Sequence, residues 1–249
     1  MVYIGQALCR FCLKTNRKVA RTSLNRPQAR HSYCVSPLET DFVNALKRAD
    51  EALVIAFSDR VDALGRFGLD AKTITRTVKR VDAEAGTRLY DAVIEGARAI
   101  TEPGRKDKRA LVILSDGEDT SSVARLSDAV EAVRLAEVPV YAIAIEDAGS
   151  DLPWRRPADP LWRQLRSASE ITPINQLTDG TGGWTYPIEA AKRCKEVCLR
   201  IADELRHQYL LGYYPSNTER DGSWRTIEVR TTRSGINLAT RTGYYAPRP

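Results

Sequence analysis

The clearest structural signal in the sequence lies at Lys108–Asp119, which reads Lys-Arg-Ala-Leu-Val-Ile-Leu-Ser-Asp-Gly-Glu-Asp. Within it, Ala110–Leu114 is a short, continuous apolar run that stops at a turn. A run without polar alternation is typical of a strand buried on both faces, as in a parallel sheet. The acids that follow stand where doubly wound α/β sheets bind their ligands, beyond the carboxyl ends of the strands. The stretch therefore predicts an architecture and a candidate cation site.

Short apolar strands alternate with amphipathic helices along most of the chain. This order is typical of right-handed βαβ units, which build a parallel sheet covered by helices. We therefore predict an α/β fold, with a doubly wound, mostly parallel, Rossmann-like sheet and a C-terminal antiparallel β extension. The predicted strands are 51–58, 63–67, 110–114 and 138–145, an edge strand within 177–186, and three extension strands at 208–214, 225–231 and 237–245. The predicted helices are 41–50, 71–81, 88–100, 123–136, 160–169 and 188–207.

The pattern divides the chain into three parts. Residues 1–40 form an atypical basic segment without sustained periodicity, residues 41–207 form the main α/β domain, and residues 208–249 form the β extension packed on it. In the last helix, Cys194 and Cys198 fall on an apolar stripe, so core packing is the expected role of both. The tyrosines of the extension are expected to pack against the main domain, and a surface that binds a partner or carbohydrate is the alternative.

Length and composition restrict the class of protein. The chain has 249 residues, of which 43% are hydrophobic, enough for one α/β domain with an appendage. No apolar run approaches the ~20 residues that cross a bilayer, so we predict no transmembrane segment. Met1–Leu8 is too short and too polar for a secretory signal, and the chain as written is expected to be cytoplasmic.

The positive charge is concentrated at the N-terminus. Seven basic side chains and the single acid Glu39 give residues 1–40 a charge of +6, equal to the net charge of the whole chain. This segment suggests a basic arm for nucleic acid or acidic lipid, against the alternative of a solvated leader, which we favour. The basic residues are Arg10, Lys14, Arg17, Lys18, Arg21, Arg26 and Arg30.

The same segment contains a spacing that suits zinc. Cys9, Cys12, His31 and Cys34 could form a Cys₃His site, because pairs of ligands two residues apart suit a tetrahedral ion. The sequence between the pairs lacks strand or hairpin signals, so we expect unpaired thiols and no zinc site.

Several common chemistries lack support in the sequence. No glycine-rich phosphate loop follows a predicted strand, so nucleotide binding is not expected. The only histidines are His31 and His207, and neither falls at the carboxyl edge of the predicted sheet, which excludes a serine–histidine–acid triad from our interpretation.

Oxygen-ligand chemistry remains. Thr87 and Asp116 both lie in loops at one edge of the predicted sheet, and a hard cation such as Mg²⁺ takes oxygen ligands. The alternative is structural: Thr87 is then only a helix N-cap, and Ser115–Asp119 only the acid-rich start of a helix. The residues alone leave these two interpretations open.

At these residues the chain resembles a von Willebrand factor type A (VWA) domain, and more narrowly the VWA-related proteins of acidobacteria. The order and spacing of the matching motifs extend over residues 41–246. The matching segments are Phe42–Phe57, Ala85–Ala92, Arg109–Thr120, Val138–Ile145, Thr181–Gly183, Glu204–Pro215 and Arg241–Ala246. The resemblance implies a doubly wound fold, a protein ligand, and an exported or cell-envelope protein if a leader is missing.

The resemblance also implies a metal-ion-dependent adhesion site (MIDAS). The family's site takes an Asp-x-Ser-x-Ser element after the first strand, then a threonine and an aspartate, which Thr87 and Asp116 match. The first strand and the Asp-x-Ser-x-Ser element are missing or degenerate here. Family spacing places them at Arg21–Asn25, where only Ser23 matches a serine and Arg21 would repel a cation. Either a foreign segment has replaced the first strand, or the site has been abandoned.

We therefore expect a non-catalytic, protein-binding module whose adhesion site is incomplete and binds Mg²⁺ weakly or not at all. One alternative is a metal-dependent hydrolase that uses Asp116, Glu118 and Asp119. Another is a nucleic-acid binder that acts through the basic residues of segment 1–40.

Overall fold

The computed structural model describes residues 2–6, 51–64, 67, 72–73, 76, 86–102, 108–145, 173–188, 194–209, 211–236 and 238–249. Its main sheet has six strands in the order β3-β2-β1-β4-β5-β6, and a separate pair, β7-β8, lies near the C-terminus. The strands are β1 (Val2–Gln6), β2 (Leu53–Phe57), β3 (Val61–Ala63), β4 (Leu111–Ser115), β5 (Val140–Ile145), β6 (Thr185–Ile188), β7 (Trp224–Thr226) and β8 (Gly243–Tyr245). The helices are α1 (Leu89–Ile100), α2 (Leu126–Ala136), α3 (Pro173–Thr178) and α4 (Cys194–Arg206).

The sheet confirms the predicted α/β class. All pairings in the main sheet are parallel except that of the edge strand β3, which runs antiparallel to β2. Among the helices of the described ranges, none has the length and apolar character needed to cross a membrane.

β4 carries the predicted run of buried residues and joins two cores. Leu111 and Ile113 face one side of the sheet and pack with α1 and α2. Val112 and Leu114 face the other side and pack with α4. Because successive strand residues point to opposite faces, a strand covered on both sides must be apolar throughout. This explains why the run shows no alternation.

The main correction concerns the first strand. The expectation that it is missing or degenerate is wrong, because Val2–Gln6 forms β1 between β2 and β4. Its partners in register are Leu53–Phe57 on one side and Leu111–Leu114 on the other. Family spacing pointed to Arg21–Asn25 instead, and that stretch lies outside the described residues. Part of the segment 1–40 thus belongs to the sheet.

Most other predicted elements are present with shifted ends. The second strand is Val61–Ala63 rather than 63–67, and α2 begins at Leu126 rather than at 123. The last helix is described from Cys194, and Ile188, where it was predicted to begin, ends strand β6 instead. Its buried stripe is confirmed for Cys198, Ile201 and Leu205. The predicted helices 41–50 and 160–169 lie outside the described residues, and only residues 72–73 and 76 of helix 71–81 are described.

The C-terminal extension is smaller than predicted. Strands β7 and β8 form an antiparallel pair, but the described part of 208–214 forms no strand. Tyr209 and Tyr214 are almost fully exposed, so the prediction that they pack on the main domain is wrong. Trp224 instead meets Tyr245 edge to face at 5.0 Å between ring centroids and lies under Arg134 of α2.

The central position of β4 predicts where truncation is costly. We expect Ile113→Ala to lower the free energy of unfolding by about 2–5 kcal/mol, because the side chain is fully buried and its loss leaves a cavity. Val123→Ala, at a side chain that is 84% exposed, should change it by less than about 0.5 kcal/mol. Urea unfolding of both variants measures the difference. Equal effects would contradict the placement of β4.

Candidate functional site

The candidate site lies at the carboxyl edge of the sheet. β1, β2 and β4 run parallel, with Gln6 opposite Phe57 and Gly5 opposite Leu114. Their carboxyl ends therefore meet at one edge. The loop after β2, the loop before α1 and the loop after β4 gather there.

Backbone hydrogen bonds join the loop before α1 to the loop after β4. The Thr87 N–H donates to Oγ1 of Thr120 at 3.0 Å. The Thr87 carbonyl accepts the N–H groups of Thr120 and Ser121 at 3.0 and 3.1 Å. Thr87 is buried, so its position is fixed relative to the loop that begins at Asp116.

Gly86 allows the three loops to pack closely. Its φ of +135° favours glycine, and a Cβ atom there would stand 2.8 Å from Oγ of Ser121 and 3.2 Å from Cα of Asp59. Any side chain at this position would push the loop after β2 away from the loop after β4.

Asp116 follows the fully buried Ser115 at the end of β4. Its Oδ1 atom accepts the N–H of Glu118 at 3.1 Å and the Ser115 hydroxyl at 3.4 Å. These contacts orient the carboxylate over a turn. Thr87 and Asp116, the two residues matched to the MIDAS, thus lie in adjoining, hydrogen-bonded loops. Their role as metal ligands stays a prediction.

Asp119 has a structural role, because its carboxylate accepts hydrogen bonds from α1 and from its own loop. Its Oδ2 atom accepts the Tyr90 N–H at 3.1 Å and the Ser122 hydroxyl at 2.6 Å, and its Oδ1 atom accepts the Ser122 N–H at 3.2 Å. Tyr90 lies in the first turn of α1, where backbone N–H groups have no partner within the helix. Asp119 therefore caps α1 from a different loop. Burial and the Asp119 carboxylate raise the pKa of the Tyr90 phenol.

A side chain of α1 also accepts hydrogen bonds from the loop after β4, so each of these two segments holds the other. The Asp91 carboxylate accepts the N–H groups of Val123 and Ala124, each at 3.0 Å. The Asp91 N–H donates to Oγ of Ser122 at 3.2 Å. Sequence reasoning missed this pairing, and the only local signal was an acid in the first turn of a predicted helix. We call Asp91, Asp119 and Ser122 the loop clamp.

The structure contradicts both parts of the alternative in which Thr87 is a helix N-cap and Ser115–Asp119 is the start of a helix. Thr87 is not the N-cap of α1, because Arg88 holds that position and makes no side-chain capping bond. Ser115–Asp119 is not the start of the next helix, because α2 begins only at Leu126. The acid-rich stretch instead supports the helix that precedes it in the chain.

The two residues matched to the MIDAS offer one carboxylate, that of Asp116, and one hydroxyl, that of Thr87, at this edge. No group of three or more His, Cys, Asp or Glu side chains within the described ranges could hold a metal ion. Mg²⁺ favours near-octahedral oxygen coordination, and these two donors alone do not fit it. Ser23 and the predicted zinc ligands Cys9, Cys12, His31 and Cys34 lie outside the described residues.

The fold and the edge site define an α/β domain with loops at the carboxyl ends of its strands, the place where doubly wound sheets bind ligands. A family model described as "VWA domain containing CoxE-like protein" matches residues 34–179, more than half of the chain. The chain belongs to this VWA family. The narrower likeness to acidobacterial VWA-related proteins stays a prediction. No curated protein matches the sequence.

Solved structures share the fold. A von Willebrand factor type A protein from Catenulispora acidiphila has a TM-score of 0.56 at 13% identity, covering 82% of this chain and 42% of that one. BatB, a conserved hypothetical protein from Bacteroides thetaiotaomicron, has a TM-score of 0.54 at 13% identity, covering 83% and 98%. Proximal thread matrix protein 1 from the mussel byssus, with a zinc-occupied MIDAS motif, has a TM-score of 0.53 at 12% identity, covering 82% and 47%.

This chain therefore spans less than half of the Catenulispora structure. Identities this low show the fold alone. Domains of the VWA type are generally non-catalytic interaction modules, and a metal can bind at their MIDAS.

The loop clamp predicts different roles for neighbouring acids. We expect Asp119→Ala to lower the free energy of unfolding by about 1–3 kcal/mol, because it leaves the Tyr90 and Ser122 N–H groups without their acceptor. Glu118→Ala, at an exposed side chain, should change it by less than about 0.5 kcal/mol. Urea unfolding compares them, and an unaffected Asp119→Ala variant would rule out the clamp.

Proposed function

We propose that this chain is a non-catalytic protein-binding module of the VWA type whose MIDAS is incomplete. The family supplies the coarse class. The finer statement, that this chain binds a protein partner without a resident Mg²⁺ ion, depends on what stands at the carboxyl end of β1.

The sequence after β1 is the observation that carries the proposal. β1 ends at Gln6, at the edge where the loops of Thr87 and Asp116 lie. The next six residues are Ala7-Leu8-Cys9-Arg10-Phe11-Cys12, which include no carboxylate and no hydroxyl. The resemblance would require an Asp-x-Ser-x-Ser element here. The sequence of these six residues therefore contains none of the side-chain oxygen ligands that the resemblance requires.

Charge supports the same interpretation. Mg²⁺ gives up its water ligands reluctantly, so sites for it rely on carboxylates. Of the acids in the loop after β4, Asp119 is committed to Tyr90 and Ser122. Asp116 is the carboxylate of this loop that matches the MIDAS, and the basic residue Arg10 follows β1 closely in the chain.

These contacts also weaken the hydrolase alternative. That interpretation requires Asp119 to share a metal or a proton with Asp116, but both of its oxygens already accept hydrogen bonds within the clamp. Glu118 is exposed to solvent. The nucleic-acid alternative rests on basic residues that fall outside the described ranges, and it stays a prediction.

Calorimetric titration with Mg²⁺ tests the proposal. We expect no saturable binding with a dissociation constant below about 100 μM, and the same weak heats for the Asp116→Asn variant. Both proteins should be monomeric, and any bound metal should be removed with EDTA beforehand. Saturable binding tighter than this limit, abolished by Asp116→Asn, would show that the adhesion site is functional and would overturn the proposal.

A further inference from the structure

The edge strand β3 turns part of its backbone away from the sheet. Leu64 donates its N–H to the Val54 carbonyl at 2.7 Å, and Ser58 donates to the Arg60 carbonyl at 2.9 Å. In an antiparallel pair, hydrogen-bonded and non-hydrogen-bonded positions alternate. Residues 60, 62 and 64 therefore direct their backbone groups toward β2. Val61 and Ala63 direct theirs outward, and among the described residues no strand pairs with that edge.

A groove lies beside Val61 and Ala63. It has a volume of about 430 Å³ and lies between β3 and the first two turns of α1. Its lining combines a small apolar strip with charged groups from the start of α1 and with Arg60, which pairs with Asp62 at 2.8 Å. The lining residues are Arg60, Val61, Ala63, Arg88, Asp91 and Glu95.

The two acids of the groove already have cationic or N–H partners. Asp91 accepts the N–H groups of Val123 and Ala124, and Glu95 accepts two hydrogen bonds from Arg98 at 2.6 and 2.9 Å. This pairing lowers the pKa of the Glu95 carboxyl, mainly through the Arg98 hydrogen bond. Neither carboxylate is therefore arranged to attract a cationic ligand.

The guanidinium of Arg88 has N–H groups that its contacts within the chain do not fully use. Its Nη1 atom is 3.5 Å from Oδ2 of Asp91, a long contact, and its buried Nε atom has no hydrogen-bond partner in the described part of the chain. The Arg88 side chain is 35% exposed and its contact with Asp91 is long, so its guanidinium is available to a carboxylate of a partner. Arg88 also follows Thr87 directly, which places the groove beside the edge where VWA domains bind their ligands.

We propose that an extended, acidic segment of a partner protein binds along β3 as an additional strand. Its backbone pairs with the outward N–H and C=O groups of Val61 and Ala63, and its Asp or Glu side chain meets the Arg88 guanidinium. Two outward backbone positions on an edge strand match an extended chain, the mode known as strand addition. The inference rests on the proposed function, because it names the partner of a module that binds without metal.

The geometry indicates which part of the interaction gives which property. The backbone pairing is independent of sequence, so it supplies affinity for any extended peptide. The guanidinium selects for a carboxylate, because planar, charge-assisted pairing favours Arg with Asp or Glu. Because β3 is only three residues long, the contact is short and depends on the charged pair.

The experiment uses the full chain in EDTA and measures fluorescence anisotropy. The probes are short, fluorescein-labelled peptides that alternate valine with a variable polar residue, supplied as a series with Asp, Glu, Asn, Gln or Lys at that position. We expect the Asp and Glu peptides to bind at least about tenfold more tightly than the Lys peptide.

Two pairs of variants separate the contribution of the Arg88 guanidinium from that of the backbone pairing. Arg88→Gln should remove the preference for acid, whereas Arg230→Gln, at a side chain that is 81% exposed in the extension, should not. Ala63→Pro removes an outward N–H, which an edge strand tolerates, and should weaken every peptide about tenfold or more. Ala63→Thr keeps the N–H and should bind as the parent does. Circular dichroism and urea unfolding confirm that each variant is folded.

The outcomes distinguish the inference from the function on which it rests. No binding by any peptide of the series, or binding that Ala63→Pro leaves unchanged, would overturn strand addition while leaving the metal-independent module intact. Binding that appears only when Mg²⁺ replaces EDTA and is lost in Asp116→Asn would instead overturn the proposed function.

Discussion

The double pairing of β1 is the constraint on which the rest of the structure depends. Val2–Gln6 lies between β2 and β4, so one short segment closes two ladders of backbone hydrogen bonds at the centre of the sheet. Without it, each of these neighbours would present an unpaired edge in the interior, where unsatisfied N–H and C=O groups are costly. The residues that follow its carboxyl end also determine which side chains are available to the candidate site.

Much of the fold could be predicted, and the main miss has a physical reason. β2, β4 and β5 were found because strands buried on both faces must be apolar along their whole length. β1 reads Val-Tyr-Ile-Gly-Gln, a short run that a glycine and a glutamine interrupt at the start of the chain. It is specified by pairing with strands 50 to 110 residues away rather than by its own pattern.

The position of the candidate site could be predicted from the sequence, but the hydrogen bonds that join its loops could not. Alternation of strands and helices places Thr87 and Asp116 at one edge, as the structure has them. The loop clamp was not visible, because Asp119 caps a helix that begins 30 residues earlier in the chain, and such a contact leaves no periodic signal. The groove beside β3 was missed too, since which backbone groups face outward depends on the register with β2.

A single measurement tests the central position of β1 most directly: native-state hydrogen exchange of the backbone amides, followed by NMR. We expect the Ile4 and Gly5 amides to exchange only through global unfolding, with the same free energy as those of Leu111–Ser115. Rapid exchange at Ile4 and Gly5 alongside protected amides in β4 would contradict it, because the centre of the sheet would then be formed by a different segment.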